Sequence, residues 1–301
     1  MTSEGHSRRR VLGGLIGAGG ALTFGAAAHA SDGDGAGSAA GAGSAAGTGS
    51  RPGTAPPAVA DEAAGRATGA TVVLVHGVFA DASGWNAVTA GLLEAGHQVL
   101  APANPLRDLA GDSAYLSSIL ATLPGPVILV GHSYGGEVIT NAARGHDHVK
   151  ALVYAAAFAP DEGENALQLA RRFPGSRLEG ALVTRPLPGG TDADGYIDPA
   201  KFHEVFAADL PRSTTRVMAV SQRPGSLNGL SGPSGVPAWR TLPSWYVVAG
   251  ADRVIPPALQ RFMAERARSR TVEVKGASHV VMMSHPDVVV RQIAAAYRAT
   301  R

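Results

Sequence analysis

Val127-Ile128-Leu129-Val130-Gly131-His132-Ser133-Tyr134-Gly135-Gly136 decides how this chain folds. Its four leading aliphatic residues read as a strand buried on both faces, the kind found in parallel sheets. They run directly into Gly131-x-Ser133-x-Gly135, the spacing that places a serine on a sharp strand-to-helix turn with its hydroxyl exposed. A side chain at either glycine would collide across such a turn, so glycine is a steric requirement there. The stretch 136–144 then carries Val138, Ile139 and Ala142 at helical spacing and stops at Gly145, a C-terminal cap. Strand, turn and helix arrive in the order that makes Ser133 a candidate nucleophile.

Outward from this motif the chain alternates strands and helices. Strands are expected at 71–75, 98–101, 127–130 and 151–154. Helices are expected at 85–93 and 113–123, the second begun by Asp112 or Ser113. After residue 160 the alternation breaks: 161–243 contains helical stretches at 199–208 and 213–220, several prolines and glycines, and no clear strand. The pattern resumes with a strand at 245–248, a helix at 257–268, a strand at 271–274 and a helix at 286–298. This order predicts an α/β fold, a mostly parallel sheet flanked by helices, with its core at 70–160 and 244–301 and a helical cap inserted at 161–243. Catalytic groups in such sheets gather at the carboxyl ends of the strands.

A serine hydroxyl needs an adjacent base, and the base needs a group to orient it. Asp252 stands in the first turn beyond the strand ending at Val248, and His279 follows the last strand in Lys275-Gly276-Ala277-Ser278-His279. The chain order Ser, Asp, His suits an acyl-transfer triad on this kind of sheet. Asp161 is a rival acid, because an orienting carboxylate can also come from the preceding strand end. His285, His146 and His148 are rival bases. His146-Asp147-His148 has a metal-ligand spacing, but no further cluster supports it and a solvated loop is expected. His132 is expected to be structural, its side chain directed away from that of Ser133. The oxyanion of an acyl intermediate needs donors. Tyr134 N–H, next to the nucleophile, and Val78 N–H, in the loop His76-Gly77-Val78-Phe79, are the candidates. Asp81, Ser83 and Trp85 are expected to cap the next helix. No metal or cofactor is called for.

The two ends of the composition differ. Residues 1–30 hold Arg8, Arg9 and Arg10 against Glu4, so the formal charge of +2 disappears without them, leaving 23 basic and 23 acidic residues (26 less 3, 24 less 1). A neutral remainder argues against nucleic-acid or polyanion binding. The same thirty residues read as a twin-arginine export signal: the arginines, a weakly apolar Gly/Ala-rich run, and Ala28-His29-Ala30 as a small-x-small cleavage site. That run is too glycine-rich and short for a stable membrane span. Residues 31–69 are mostly Gly, Ala, Ser, Thr and Pro, a composition expected to stay unordered as a tether. The chain has no cysteine and so no disulfide requirement.

Taken together, His76-Gly77, Gly131 through Gly136, Gly250-Ala251-Asp252 through Pro256, and Gly276 through His279 resemble the α/β-hydrolase fold. Within it the chain is similar to bacterial serine esterases and to the branch of plant methyl esterases and hydroxynitrile lyases. The resemblance covers about residues 70–300. It implies a cofactor-free enzyme acting on a small-molecule ester, with Ser133, Asp252 and His279 as triad and 161–243 as the cap that sets specificity. Phe202, Phe206, Met218 and Trp239 are the cap residues that could line a pocket or form the cap's own core. Lyases of this branch usually carry threonine where this chain has Gly77 and lysine where it has Val280, and both departures favour ester hydrolysis. A lyase, a perhydrolase and a non-catalytic ligand-binding protein are the alternatives. Neither the ester nor the oligomeric state is legible.

Overall fold

The computed structural model describes residues 69–301. The leader at 1–30 and, apart from its last residue, the stretch 31–69 lie outside the described residues. In chain order the elements are β1 (Thr71–Val75), α1 (Asn86–Glu94), β2 (Gln98–Leu100), α2 (Leu109–Leu120), β3 (Val127–Ser133), α3 (Tyr134–Ala142), β4 (Val149–Ala157), α4 (Ala166–Ala170), β5 (Leu182–Pro186), β6 (Ala193–Ile197), α5 (Pro199–Phe206), α6 (Arg212–Ser221), β7 (Gly225–Ser226), α7 (Leu227–Ser231), β8 (Ser244–Ala249), α8 (Pro257–Arg266), β9 (Arg270–Val274), α9 (Val281–Ser284) and α10 (Pro286–Ala299).

Six strands form one parallel sheet in the order β2-β1-β3-β4-β8-β9. β1, β3 and β8 are buried along their whole length, while β2 and β9 at the edges are partly exposed. That is the pattern expected when helices cover both faces of the central strands. Strand order reverses between β1 and β3, because β2 lies on one side of β1 and β3 on the other. Such a switch point opens a crevice at the carboxyl ends of the strands. The His76-Gly77-Val78 loop leaves β1 there, and Ser133 ends β3 there.

Three expectations are corrected. First, α2 starts at Leu109 with Asp108 as its cap, the side chain accepting from Gly111 N–H at 2.7 Å. Asp112 is drawn inward instead, where its carboxylate accepts from Tyr134 Oη at 2.9 Å. Second, β4 extends through Ala155-Ala156-Ala157, small residues with no β signal of their own; Ala155 and Ala157 pair with His132 and Ser133 of β3, and Ala156 between them bulges out at φ 45°. Third, the segment read as strandless carries a three-stranded antiparallel sheet, β5-β6-β7, beside its helices. β5 is largely exposed and β6 contains Asp194 and Gly195, so neither shows the apolar alternation that marks a half-buried strand. Among the described residues no helix is long and apolar enough to cross a membrane.

Candidate active site

Ser133 has φ 54° and ψ −127°, a strained conformation at the junction of β3 and α3. The glycines around it are fixed by contact. A Cβ on Gly131 would lie 2.6 Å from Gly135 O and Gly136 N, and one on Gly135 would strike the Val75 carbonyl at the end of β1. Gly77 is as tightly placed: its Cβ would lie 2.6 Å from Ser133 Cβ and 3.1 Å from Ser133 Oγ. The loop after β1 therefore passes directly against the serine.

His76 holds that loop. Its Nε2 accepts from Asn104 N–H at 2.9 Å, and an amide nitrogen can only donate, so Nδ1 carries the proton and donates to Gly77 O at 2.9 Å. Burial keeps the His76 pKa below its ordinary value, which agrees with this neutral form. Asn104 Nδ2 also donates to His76 O at 3.1 Å. Val78 N–H, two residues on, has no acceptor among the described residues. Tyr134 N–H lies in the first turn of α3, where no intrahelical acceptor exists and the helix dipole is positive.

Asp252 and His279 meet at the far side of the crevice. Their loops are joined by Ala251 N–H donating to Ala277 O at 2.9 Å. His279 Nδ1 is 2.7 Å from Asp252 Oδ2, with both side chains fully buried. Asp252 also accepts from Val254 N–H at 2.7 Å and Ile255 N–H at 3.0 Å on Oδ1, and from Gln260 Nε2 at 2.8 Å on Oδ2. Four donors on one carboxylate fix its plane. His279 Nε2, by contrast, is buried without a hydrogen-bond partner.

His132 packs beside His279. Its ring lies against that of His279, centroids 4.6 Å apart, and its Nε2–H donates to His279 O at 3.0 Å. Burial pushes its pKa well below the ordinary histidine value, so it stays neutral and donates through that one nitrogen. The Ser133 turn and the His279 loop are thereby tied together through His132, the residue before the serine. Sequence reasoning missed this tie, and it missed Gln260, Asn104 and Asp112 as well. Glycine flanks announce a turn, but nothing local announces which buried amide will face a carboxylate.

The rivals take other roles. Asp161 pairs with Arg240 and accepts from Glu162 N–H. His285 Nδ1 bonds Ser284 Oγ, while His146 and His148 bond Ser117 Oγ and Leu120 O respectively. Among the described residues no group of acidic, histidine or cysteine side chains could hold a metal ion. Asp81 caps the short 3-10 turn Ala82–Trp85, accepting from Ser83 N–H at 2.8 Å. Of Phe202, Phe206, Met218 and Trp239, Phe206 packs on His279 and on Phe202, with ring centroids 5.1 Å and 5.0 Å apart. Met218 lines a small cavity of about 50 Å³ with Phe79, Val280 and Met282. Trp239 is engaged elsewhere, donating to Pro160 O at 2.9 Å.

A family model described as "Alpha/beta hydrolase family" matches residues 72–292. Among curated proteins, a carbendazim hydrolyzing esterase of Nocardioides sp. is 36% identical over 113 residues, 33% of this chain and about half (47%) of that protein. Methylesterase 8 of Arabidopsis thaliana is 25% identical over 245 residues, 72% of this chain and 85% of that one. Among solved structures, a pyrethroid hydrolase from Sphingobium faniae JZ-2 superposes with a TM-score of 0.63 at 25% identity, covering 76% of this chain and 98% of that chain. These relatives are esterases and hydrolases of one fold. The chain belongs to the alpha/beta hydrolase family, on its esterase side.

Proposed function

We propose that this protein is a serine hydrolase that cleaves a small or medium carboxylic ester through an acyl-enzyme. Ser133 Oγ attacks the acyl carbon while His279 Nε2 takes its proton, and Asp252 holds the imidazole in the tautomer with hydrogen on Nδ1. Val78 and Tyr134 N–H receive the oxyanion. His279 then returns its proton to the departing alcohol. Water, activated by the same nitrogen, adds to the acyl carbon and releases the acid and Ser133. The observation that carries this reading is the asymmetry of His279: Nδ1 is bonded to a carboxylate fixed by three other donors, and Nε2 is buried and unpartnered beside the nucleophile turn. Catalytic hydrogen bonds are often loose before substrate binds, so a free Nε2 is compatible with this role.

Gly77 supports hydrolysis over cyanide elimination. A threonine there could not fit against Ser133 without moving the loop. Between β4 and β8 an apolar cavity of about 460 Å³ is lined by Leu167, Phe173, Leu178, Leu182 and Leu227 among others. Its size suits a small organic group, although none of the triad lines it. Turnover of p-nitrophenyl acetate and butyrate, together with a panel of esters varied in acyl and alcohol size, tests the reading. Wild type is expected to hydrolyse members of the panel and Ser133→Ala to lose at least about a thousandfold in kcat. Full activity in Ser133→Ala would sink it. Cyanide release from mandelonitrile, or peracid formation with hydrogen peroxide, would identify a different enzyme.

Export by the twin-arginine route is part of the proposal and rests on Arg8, Arg9 and Arg10 with the Ala28-His29-Ala30 site. Replacing all three arginines by lysine is expected to keep the protein inside the producing cell. Unchanged export in that variant contradicts it.

A further inference from the structure

Asp209 has no part in the mechanism above, yet its carboxylate is bonded to the catalytic loop. It sits in the turn between α5 and α6. One oxygen accepts from Ser278 N–H at 2.9 Å and the other from the Ser278 hydroxyl, and Ser278 directly precedes His279. Among the described residues no lysine or arginine forms an ion pair with it. An otherwise exposed carboxylate thus takes both donors of one residue, 69 positions away in sequence.

The surrounding contacts give this bond a direction. Three residues upstream, Phe206 is fully buried, with ring centroids 5.1 Å from His279 and 6.4 Å from His132. Beyond α6, Arg223 O accepts from Phe79 N–H at 2.8 Å, and Gly225 packs so closely on Val78 that a Cβ would lie 2.6 Å from its Cγ1. Residues 206–225 therefore hold the histidine loop at one end and the proposed oxyanion loop at the other. His279 is fixed at its ring by Asp252 and at its carbonyl by His132. On its N-terminal side the loop passes through Gly276 at φ 81°, a position with nothing around a would-be Cβ; after it Ala277 O is held by Ala251 N–H, and Ser278, the residue next to His279, is held by Asp209.

We infer that Asp209 is a positioning residue, which holds His279 in its productive place through Ser278 and so couples the α5–α6 hairpin to the base. This rests on the serine mechanism proposed above. Misplacement of a catalytic group by about 1 Å can cost on the order of a hundredfold in rate, so loss of this anchor should lower kcat more than it changes KM.

The test uses the full-length chain with p-nitrophenyl butyrate, comparing wild type with Asp209→Ala, Asp209→Asn, Ser278→Ala and the double variant Asp209→Ala/Ser278→Ala. Asp209→Ala is expected to lose about tenfold or more in kcat with KM within about twofold. Asp209→Asn keeps one acceptor and loses less. The double variant loses no more than Asp209→Ala, because the hydroxyl acts through the carboxylate. An unchanged kcat in Asp209→Ala, or in Asp209→Asn and Ser278→Ala if Asp209→Ala does not fold, overturns the proposal, as do simply additive losses. The downfield proton resonance of His279 Nδ1–H, hydrogen-bonded to Asp252, supplies a readout independent of turnover. It should broaden in Asp209→Ala and Asp209→Asn, and an unchanged line overturns the proposal. A wild type without ester turnover counts against the serine mechanism instead, and the resonance then decides the role of Asp209.

Discussion

Gln260 shows how much of this site depends on a side chain that does no chemistry. It is fully buried, and its amide donates from Nε2 to Asp252 Oδ2 and Ile255 O while Oε1 accepts from Ala249 N–H at 3.0 Å. Gln260→Leu removes all of these bonds at nearly constant volume and leaves Ala249 N–H and Ile255 O short of partners. Urea unfolding should show a loss of about 1–3 kcal/mol. Ester turnover should fall as well, because Asp252 loses one of the donors that set its plane; unchanged values of both would show that the amide is dispensable. Ser133, Asp252 and His279 were legible because each stands at or just beyond the carboxyl end of a strand, where a parallel sheet collects its chemistry. Gln260 was not, because its value comes from the rotation of α8 against β8, which its neighbours in sequence do not encode. Asp209 was illegible for the same reason at longer range.

At the scale of elements, the buried strands were readable because unbroken aliphatic runs such as 127–130 fit only a sheet covered on both sides. The strands β5, largely exposed, and β6 were hidden because their pairing rests on backbone hydrogen bonds that leave no apolar period in the sequence. α3 carries a further feature, Glu137, which is fully buried with neither carboxyl oxygen hydrogen-bonded among the described residues. Burial raises its pKa well above the ordinary 4.5, with Glu164 adding to the effect. The folded protein thus holds a proton that the unfolded chain releases near 4.5. Its contribution is fully favourable below that value and is lost as pH rises toward the folded pKa. Glu137→Gln keeps the shape and removes the titration, so its melting temperature should exceed that of wild type increasingly as pH rises from about 4.5. A difference that stays flat with pH would mean that Glu137 is ionised or solvated in the folded protein.

At the scale of the molecule, a parallel sheet brings three chain-distant loops to one crevice, and the segment between β4 and β8 closes over them. The switch point between β1 and β3 sets Ser133 against the His76-Gly77-Val78 loop. The ends of β8 and β9 deliver Asp252 and His279 as a bonded pair. Residues 206–225 reach both sides, which makes the covering segment a structural partner of the base as well as a wall over it. The family membership agrees with this architecture. The central claim is that Ser133 is an activated nucleophile, and the most direct measurement is fluorophosphonate labelling read by mass spectrometry of the intact chain and its peptides. One adduct on Ser133, absent in Ser133→Ala and strongly slowed in His279→Ala, is the predicted result. An unlabelled wild type, or an adduct that persists in Ser133→Ala, would contradict the account.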